Sequence, residues 1–325
     1  EKSFGVSVPG DIVALPGIVS RKKQIIPALK VLTPMSIPIV ASLADIADRY
    51  DAVFCDLWGC LHNGVEPFAE AVEALRGFRA RGGKIVLLTN APRPRASVER
   101  QLEQIGVARD CWDVIATSGD SARSAMFRGV IGDKVWFMGQ DYDLTFFEPI
   151  HLVDDPLQIT RTPLEDATGI VCLGPFDSQA DPAVNRPEFL YAKQKGLKLL
   201  CANPDIVVDR GDTREWCAGA LAKLYTEMGG ESLYFGKPHP PVYDLARRRL
   251  AGLGREIPDD RILAIGDGIG TDIKGALGEN IDSLFITGGL ALVETLTVDD
   301  PDQKALDDFV ASQQITPTYA IGFLR

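Results

Sequence analysis

Residues 52–59 read AVFCDLWG, an apolar run of four residues that stops at the carboxylate of Asp56. A run this short, with no polar residue inside it, is typical of a strand buried on both faces of a parallel sheet. Similar runs alternate with helical patterns over residues 66–131, which predicts strands and helices in turn. Just ahead of them, SLADIADRY (42–50) has the spacing of a short amphipathic helix. We therefore expect an α/β fold with a doubly wound parallel sheet.

The alternation changes along the chain and then resumes. A second, smaller series of strands and helices begins near residue 132, and the earlier style returns near residue 236. No tandem repeat accounts for this change. We predict a core domain made of residues 42–131 and 236–325, interrupted by an inserted α/β domain at 132–235. Residues 1–41 are expected to form an N-terminal extension.

Composition excludes several classes of protein. The 325 residues suffice for about two domains of roughly 150 residues, and 46% hydrophobic with 24% charged residues is ordinary globular composition. The net charge of −11, without a dense basic run, argues against nucleic acid as a partner. No apolar stretch approaches the ~18 residues that a membrane span needs. Six scattered cysteines without Cys-x-x-Cys spacing favour reduced, buried thiols, and we expect a cytoplasmic protein.

Polar side chains collect where the predicted strands end. They are Asp56, Thr89 with Asn90, Lys237, and Asp267 with Asp272 five residues on. In open α/β sheets, ligands bind beyond the carboxyl ends of the strands, so we expect these groups to converge. Carboxylates, a hydroxyl and an ammonium group together suit phosphoryl transfer, with one carboxylate as nucleophile and others holding Mg²⁺.

Four segments, in this order, resemble the motifs of the haloacid dehalogenase superfamily. They are VFCDLWGCLHNG (53–64), VLLTN (86–90), YFGKP (234–238) and GDGIGTDIKGA (266–276). CANPD (201–205), followed later by GKP, is similar to the class IIA branch, with its NagD-like and p-nitrophenyl phosphatase-like proteins. The resemblance implies a Rossmann-like core, an α/β cap inserted between the second and third motifs, and phosphoric monoester hydrolase activity.

The resemblance also implies roles for individual residues. Asp56 matches the nucleophile that forms an aspartyl-phosphate. Mg²⁺ would be held by Asp56, Asp267 and the backbone oxygen of Trp58, with Asp272 orienting its waters. Asp56 is therefore expected to serve both as nucleophile and as metal ligand.

Further residues match the part of the family site that contacts substrate. Thr89, the backbone N–H of Asn90 and Lys237 would cradle the transferring phosphoryl group. Trp58 and Gly59, in the loop after the first strand, are expected to face the substrate as well.

Trp58 stands where the family has a second aspartate, the general acid. An indole carries no proton that it can exchange at working pH. General acid–base catalysis is typically worth ~10²–10⁴-fold, so we expect a slow enzyme or one restricted to good leaving groups. His62 is a candidate substitute, because imidazole titrates near neutrality; a structural hydrogen bond is the alternative. For Trp58, we favour a side chain that packs between core and cap over one that stacks on a ring of the substrate.

The leading interpretation is a Mg²⁺-dependent phosphatase acting on a small phosphorylated metabolite, such as a sugar-phosphate-like monoester. A carbon–halogen hydrolase is one alternative, since that branch of the family also has an aromatic residue at the Trp58 position, although the GDGIGTD segment indicates a metal that dehalogenation does not need. A catalytically weakened phosphometabolite-binding protein is the other. A homodimer formed through the cap is a further expectation.

Overall fold

The computed structural model describes residues 36–148, 153–210, 213–254 and 256–325. Within these ranges the chain forms thirteen strands and eight α-helices. The strands are β1 (Ala52–Cys55), β2 (Lys84–Thr89), β3 (Val114–Thr117), β4 (Lys134–Met138), β5 (Thr160–Arg161), β6 (Gly169–Cys172), β7 (Lys198–Cys201), β8 (Val207–Arg210), β9 (Thr213–Trp216), β10 (Glu231–Tyr234), β11 (Ile262–Gly266), β12 (Asp282–Ile286) and β13 (Tyr319–Ile321). The α-helices are α1 (Ala69–Ala80), α2 (Arg95–Gln104), α3 (Ser118–Phe127), α4 (Arg186–Gln194), α5 (Ala218–Glu227), α6 (Pro240–Ala251), α7 (Lys274–Gly278) and α8 (Gln303–Gln313).

A six-stranded parallel sheet has the order β13-β12-β11-β1-β2-β3. Its central strand, β1, pairs with β11 on one side and β2 on the other, so that Cys55 lies opposite Ile265 and Leu87. The residues that follow these three positions therefore leave the sheet at one edge. This register brings the candidate site residues of three strands together.

Helices cover both faces of the six-stranded sheet. Successive side chains of a strand point to opposite faces, so two neighbouring residues of β1 show what packs on each face. Val53 of β1 lies in a buried cluster that includes Leu75 of α1. Phe54, the next residue, lies in a separate buried cluster that includes Tyr243 of α6. The doubly wound α/β arrangement predicted from the sequence is confirmed.

A second parallel sheet, with the order β10-β7-β6-β4-β5, is built from strands between Lys134 and Tyr234. Its core includes Phe189 of α4 and Tyr225 of α5, whose rings lie 5.2 Å apart. An antiparallel hairpin, β8-β9, follows β7 in the chain. All of these strands lie in sequence between the β3 and β11 strands of the first sheet.

One feature near the start of the described chain differs from the pattern-based expectation. Residues 42–50 form two 3₁₀ turns, Leu43–Asp45 and Ala47–Arg49, instead of an amphipathic α-helix. Nine residues are too few to sustain an isolated helix, so the packing of buried Leu43 and Tyr50 decides the local conformation. The predicted extension lies outside the described residues up to position 35, and its remaining part reaches β13, where Val40 N–H donates to Ala320 O at 2.9 Å.

Across the described ranges, no helix has both the length and the apolar character that crossing a membrane requires.

Candidate active site

The ammonium group of Lys237 contacts two carboxylates at the edge of the first sheet where its strands end. Its Nζ lies 2.6 Å from Oδ1 of Asp56 and 2.7 Å from Oδ1 of Asp272, and it donates to the carbonyl of Leu88 at 3.1 Å. The lysine is 2% exposed. Burial alone would lower the pKa of its ammonium group, but the carboxylates of Asp272 and Asp56 outweigh burial and raise that pKa. The lysine therefore remains charged and holds the carboxylate of Asp56 at the end of β1.

Asp267 differs from the other two carboxylates because it forms no ion pair with a side chain of the described ranges. It is 7% exposed and accepts a hydrogen bond from Leu290 N–H at 3.1 Å. Burial, followed by the charges of Asp56 and Asp272, raises its pKa to about 8. A buried carboxylate in these surroundings is stabilised by a nearby cation.

The donor set fits a hard divalent cation. One oxygen each from Asp56 and Asp267 and the sulfur of Cys60 lie within 4.8 Å of one another. Carboxylate oxygens are the ligands that Mg²⁺ prefers, whereas a thiol is not. Burial raises the pKa of the Cys60 thiol well above its usual value, which keeps that group neutral. The residues present could thus hold Mg²⁺ through Asp56 and Asp267.

Two glycines make room for the carboxylate of Asp267. A Cβ on Gly59 would lie 2.1 Å from Oδ2 of Asp267, and a Cβ on Gly289 would lie equally close to the same atom. Gly59 also has a φ of +72°, in the left-handed region that favours glycine. The structure places Gly59, predicted to face the substrate, directly against the candidate metal carboxylate.

Asp272 contacts the lysine and its own loop. Besides the ion pair with Lys237, its Oδ2 accepts from Gly268 N–H at 3.2 Å and from the Thr271 hydroxyl at 3.3 Å. Its pKa is raised to about 6, chiefly by burial, and the nearby charge of Asp56 acts in the same direction. Its direct contacts are therefore those of a residue that fixes Lys237, a role the sequence pattern did not suggest.

Thr89 and Asn90 lie at the end of β2, next to Lys237 in space. The buried Thr89 hydroxyl accepts from Ala91 N–H at 3.2 Å. The carboxamide of Asn90 accepts from Lys237 N–H at 2.7 Å and donates to Lys237 O at 3.1 Å. Its Nδ2 also donates to Oδ1 of Asp205, at 2.8 Å. Sequence reasoning gave a role to the Asn90 backbone and none to its side chain or to Asp205, although Asp205 ends the family-like CANPD segment.

Trp58 packs as a wall in the loop after β1. Its ring lies 5.3 Å from that of His62 in an edge-on arrangement, and it packs against the buried cluster below β1. A Cβ on Gly64 would lie 2.2 Å from the indole, so glycine is required for this approach. These contacts favour the packing interpretation of Trp58 over a stacking surface.

His62 is engaged in a structural hydrogen bond. It is 1% exposed, and its Nδ1 accepts from Gly64 N–H at 3.0 Å. Burial lowers its pKa to about 4, so the imidazole is neutral at physiological pH. A neutral, enclosed imidazole is a poor general acid, and the structure favours the structural alternative for His62.

Comparison with known proteins agrees with this geometry. A family model for haloacid dehalogenase-like hydrolases matches residues 53–152, and a second model of the same kind matches residues 234–312. The crystal structure of a haloacid dehalogenase-like hydrolase from Brucella suis is 36% identical, with a TM-score of 0.75, and the match covers 88% of this chain and all of the other (100%).

Curated relatives are phosphatases by name. D-glycerol 3-phosphate phosphatase of Mycobacterium tuberculosis is 25% identical over 256 residues, which cover 76% of this chain and 66% of that protein. Ribonucleotide monophosphatase NagD of Escherichia coli is 22% identical, over 75% of this chain and 90% of that one. A glycerol phosphate phosphatase from M. tuberculosis, solved with magnesium, has a TM-score of 0.58 at 24% identity, over 80% of this chain and 78% of its own. The resemblance to the NagD-like branch is thus confirmed, and the chain belongs to the haloacid dehalogenase-like hydrolase family.

Proposed function

We propose that the protein is a Mg²⁺-dependent phosphatase that hydrolyses a small phosphomonoester through a phosphorylated Asp56. One observation carries the proposal: the Asp56 carboxylate lies 2.6 Å from the buried ammonium of Lys237 and has an oxygen within 4.8 Å of one from a second buried carboxylate, Asp267. A nucleophile in this position has a positive group beside it and a second carboxylate with which it could share a cation. The names of the curated relatives support the same reaction class.

Different residues of the chain perform different parts of the proposed reaction. An oxygen of Asp56 forms a new bond to phosphorus while the ester P–O bond breaks and its electron pair leaves with the alcohol oxygen. Water then adds to the phosphoryl group, releases inorganic phosphate and restores the Asp56 carboxylate. Lys237 and the groups at the end of β2, Thr89 and the Asn90 N–H, offset the charge of the phosphoryl oxygens. Mg²⁺ held by Asp56 and Asp267 would supply further positive charge to the site.

The leaving group receives little help in this site. Trp58 has no proton to give, and His62 is neutral and enclosed. We therefore propose that esters whose alcohols are good leaving groups react faster than alkyl phosphates. The same observation supports a second candidate, a phosphometabolite-binding protein with weak turnover. Asp267, a buried carboxylate beside the nucleophile, speaks against a metal-independent dehalogenase.

The unit built on the second sheet, proposed at residues 132–235, is the part of the chain that would cover the substrate. It reaches the site through Asp205, which contacts Asn90. Caps of this kind exclude water and select the alcohol part of the substrate. The six buried thiols, none of them in a disulfide, support the proposal of a reducing, cytoplasmic compartment.

A panel of phosphorylated metabolites, assayed for phosphate release with and without Mg²⁺, tests the proposed function. We expect metal-dependent release that is lost in Asp56→Asn. Asp51→Asn is the matched control, because Asp51 lies just before the start of β1 and pairs with Arg261 at 3.0 Å, away from the site. Tight binding of a phosphoester without turnover would favour the binding protein instead.

A further inference from the structure

The side chain of Asn90 makes three hydrogen bonds, and one of its partners, Asp205, belongs to the unit built on the second sheet. Its Oδ1 accepts from the N–H of Lys237 and its Nδ2 donates to the carbonyl of the same residue. The remaining N–H of the carboxamide reaches Oδ1 of Asp205, 2.8 Å away. All three bonds have the length of ordinary hydrogen bonds. The side chain therefore ties the backbone around Lys237 to a carboxylate that follows β7.

Asp205 is itself firmly placed. Its N–H donates to Oδ1 of Asn203 at 3.1 Å, and its carbonyl accepts from Gly219 N–H, also at 3.1 Å, in the first turn of α5. A Cβ on Gly219 would come within 2.0 Å of the carbonyl of Pro204, so helix and loop are in close contact. The position of the Asp205 carboxylate is thus set by α5 and by the turn after β7.

The contact around Asn90 is tight on the other side as well. Gly236, which precedes Lys237, has no room for a side chain, since a Cβ there would lie 2.4 Å from Oδ1 of Asn90 and 2.6 Å from Cδ of Pro204. The two ends of a carboxamide have similar size but opposite hydrogen-bonding roles, and an acceptor at Asp205 fixes which end faces Lys237. Without that acceptor, one buried N–H of Asn90 would have no hydrogen-bond partner. The side chain would then no longer prefer one orientation of its carboxamide over the other.

We infer that Asp205 is a positioning residue: by accepting from Asn90, it fixes the backbone of Lys237 and with it the ammonium that lies 2.6 Å from Asp56. This inference deepens the proposed function and, for its kinetic readout, rests on it. The role requires an acceptor oxygen and does not require a negative charge or a proton. It also links the unit of the second sheet to the phosphate-binding lysine, so that a displacement of one disturbs the other.

Two substitutions at Asp205 separate this role from others. Asp205→Asn keeps a carbonyl oxygen for Asn90 but can neither ionise nor give up a carboxylic proton, whereas Asp205→Ala removes the acceptor. For p-nitrophenyl phosphate with Mg²⁺ we expect Asp205→Ala to lower kcat about ten- to hundredfold with a smaller change in KM, since misplaced catalytic groups cost this much. We expect the kcat of Asp205→Asn to stay within about threefold of that of the unaltered chain, because the retained carbonyl oxygen can still accept a hydrogen bond of ordinary strength from Asn90.

Amide hydrogen exchange gives a readout that needs no turnover. The N–H of Lys237 donates to Asn90, so its exchange should quicken in Asp205→Ala and stay slow in Asp205→Asn. Glu231→Ala and Glu231→Gln are the matched controls, because Glu231 forms a surface ion pair with Lys198 in the same sheet; neither should change kcat or the exchange at Lys237.

Three results would overturn the inference. Equal losses of kcat in Asp205→Asn and Asp205→Ala would mean that the carboxyl group itself takes part in proton transfer or charge balance. Unchanged exchange at Lys237 in Asp205→Ala would show that the contact positions nothing, and so would unchanged kcat in that variant. Absence of phosphatase activity in the unaltered chain would contradict the proposed function alone, and the exchange measurement would still decide the role of Asp205.

Discussion

The ammonium of Lys237 lies 2.6 Å from the carboxylate of Asp56; the lysine side chain is 3% exposed and that of the aspartate 13%. Together with Asp272, which lies 2.7 Å from the same ammonium, they form a buried group of two carboxylates and one cation. The charge that remains uncompensated is negative, and Asp267 adds to it when its carboxyl group is ionised. This imbalance is the physical basis for expecting a divalent cation beside Asp56.

Removing the lysine should harm both activity and stability. Lys237→Met keeps much of the length of the side chain but leaves Asp56 and Asp272 buried without their cation. We expect turnover to fall about 10²–10³-fold, as on loss of one group that stabilises transition-state charge. Breaking a buried ion pair costs about 3–5 kcal/mol, which urea unfolding would measure.

Lys198→Met is the control for that experiment. Lys198 pairs with Glu231 at the surface, 2.8 Å apart, and its loss should change the free energy of unfolding by no more than ~1 kcal/mol. A folded Lys237→Met variant with full activity would contradict the role given to the lysine.

Restoring a carboxylic acid at position 58 should speed the reaction. Trp58 is partly exposed and its ring lies against Gly64 and the ring of His62, so its replacement does not empty the main core. In Trp58→Asp we expect turnover of an alkyl phosphate to rise by up to ~10²-fold, with a smaller rise for p-nitrophenyl phosphate, whose leaving group needs no proton. The measured quantity is the ratio of the two kcat values. Trp58→Asn should leave that ratio unchanged, and an equal rise in both variants would count against a missing acid.

The contact between Gly59 and Asp267 should not tolerate a methyl group. In Gly59→Ala the new Cβ would lie 2.1 Å from Oδ2 of Asp267, and alanine is disfavoured at a φ of +72°. We expect weaker Mg²⁺ binding, measured by titration calorimetry, and lower activity.

Gly77→Ala in α1 serves as the matched control, because a methyl group at that position would have no described atom within 4 Å outside its own helix backbone and chain neighbours. That change should leave metal binding intact and stabilise the protein by up to ~1 kcal/mol through helix propensity. Unaltered Mg²⁺ affinity in Gly59→Ala would show that the close approach is not needed.

Magnesium should stabilise the fold through Asp267. A ligand present at 100 times its Kd raises the free energy of unfolding by about 2.7 kcal/mol, and chelation removes this gain. In Asp267→Asn the rise of the melting temperature with Mg²⁺ should be lost, while the metal-free protein should be no less stable, since burial and the neighbouring carboxylates already disfavour a negative charge at this position. Asp308→Asn, on the exposed face of α8, should respond to Mg²⁺ as fully as the unaltered chain. An undiminished response in Asp267→Asn would place the cation elsewhere.

Sequence patterns predicted the parts of the protein that depend on strand periodicity and strand ends. Asp56 and Thr89 could be placed at one edge because short apolar strands in a parallel sheet finish side by side. The 3₁₀ turns at residues 42–50 could not be predicted in the same way, since contacts with distant segments determine them, such as the hydrogen bond from Leu43 N–H to Arg325 O.

Side-chain partnerships that join distant segments were also beyond the sequence. Asn90 and Asp205 are separated by 115 positions, and no local pattern indicates that their side chains meet. For His62, the type of residue and its loop position suggested an acid, and only burial and the bond from Gly64 show why it is a poor one. Burial and long-range pairing are properties of the folded chain.

Trapping the phosphorylated protein tests the central claim most directly. The unaltered chain, mixed with ³²P-labelled p-nitrophenyl phosphate and Mg²⁺ and quenched in acid within a single turnover, should carry label on the peptide that contains Asp56. The label should disappear on treatment with neutral hydroxylamine and should be absent in Asp56→Asn. Phosphate release by the unaltered chain without any labelled Asp56, or label that persists in Asp56→Asn, would contradict the account.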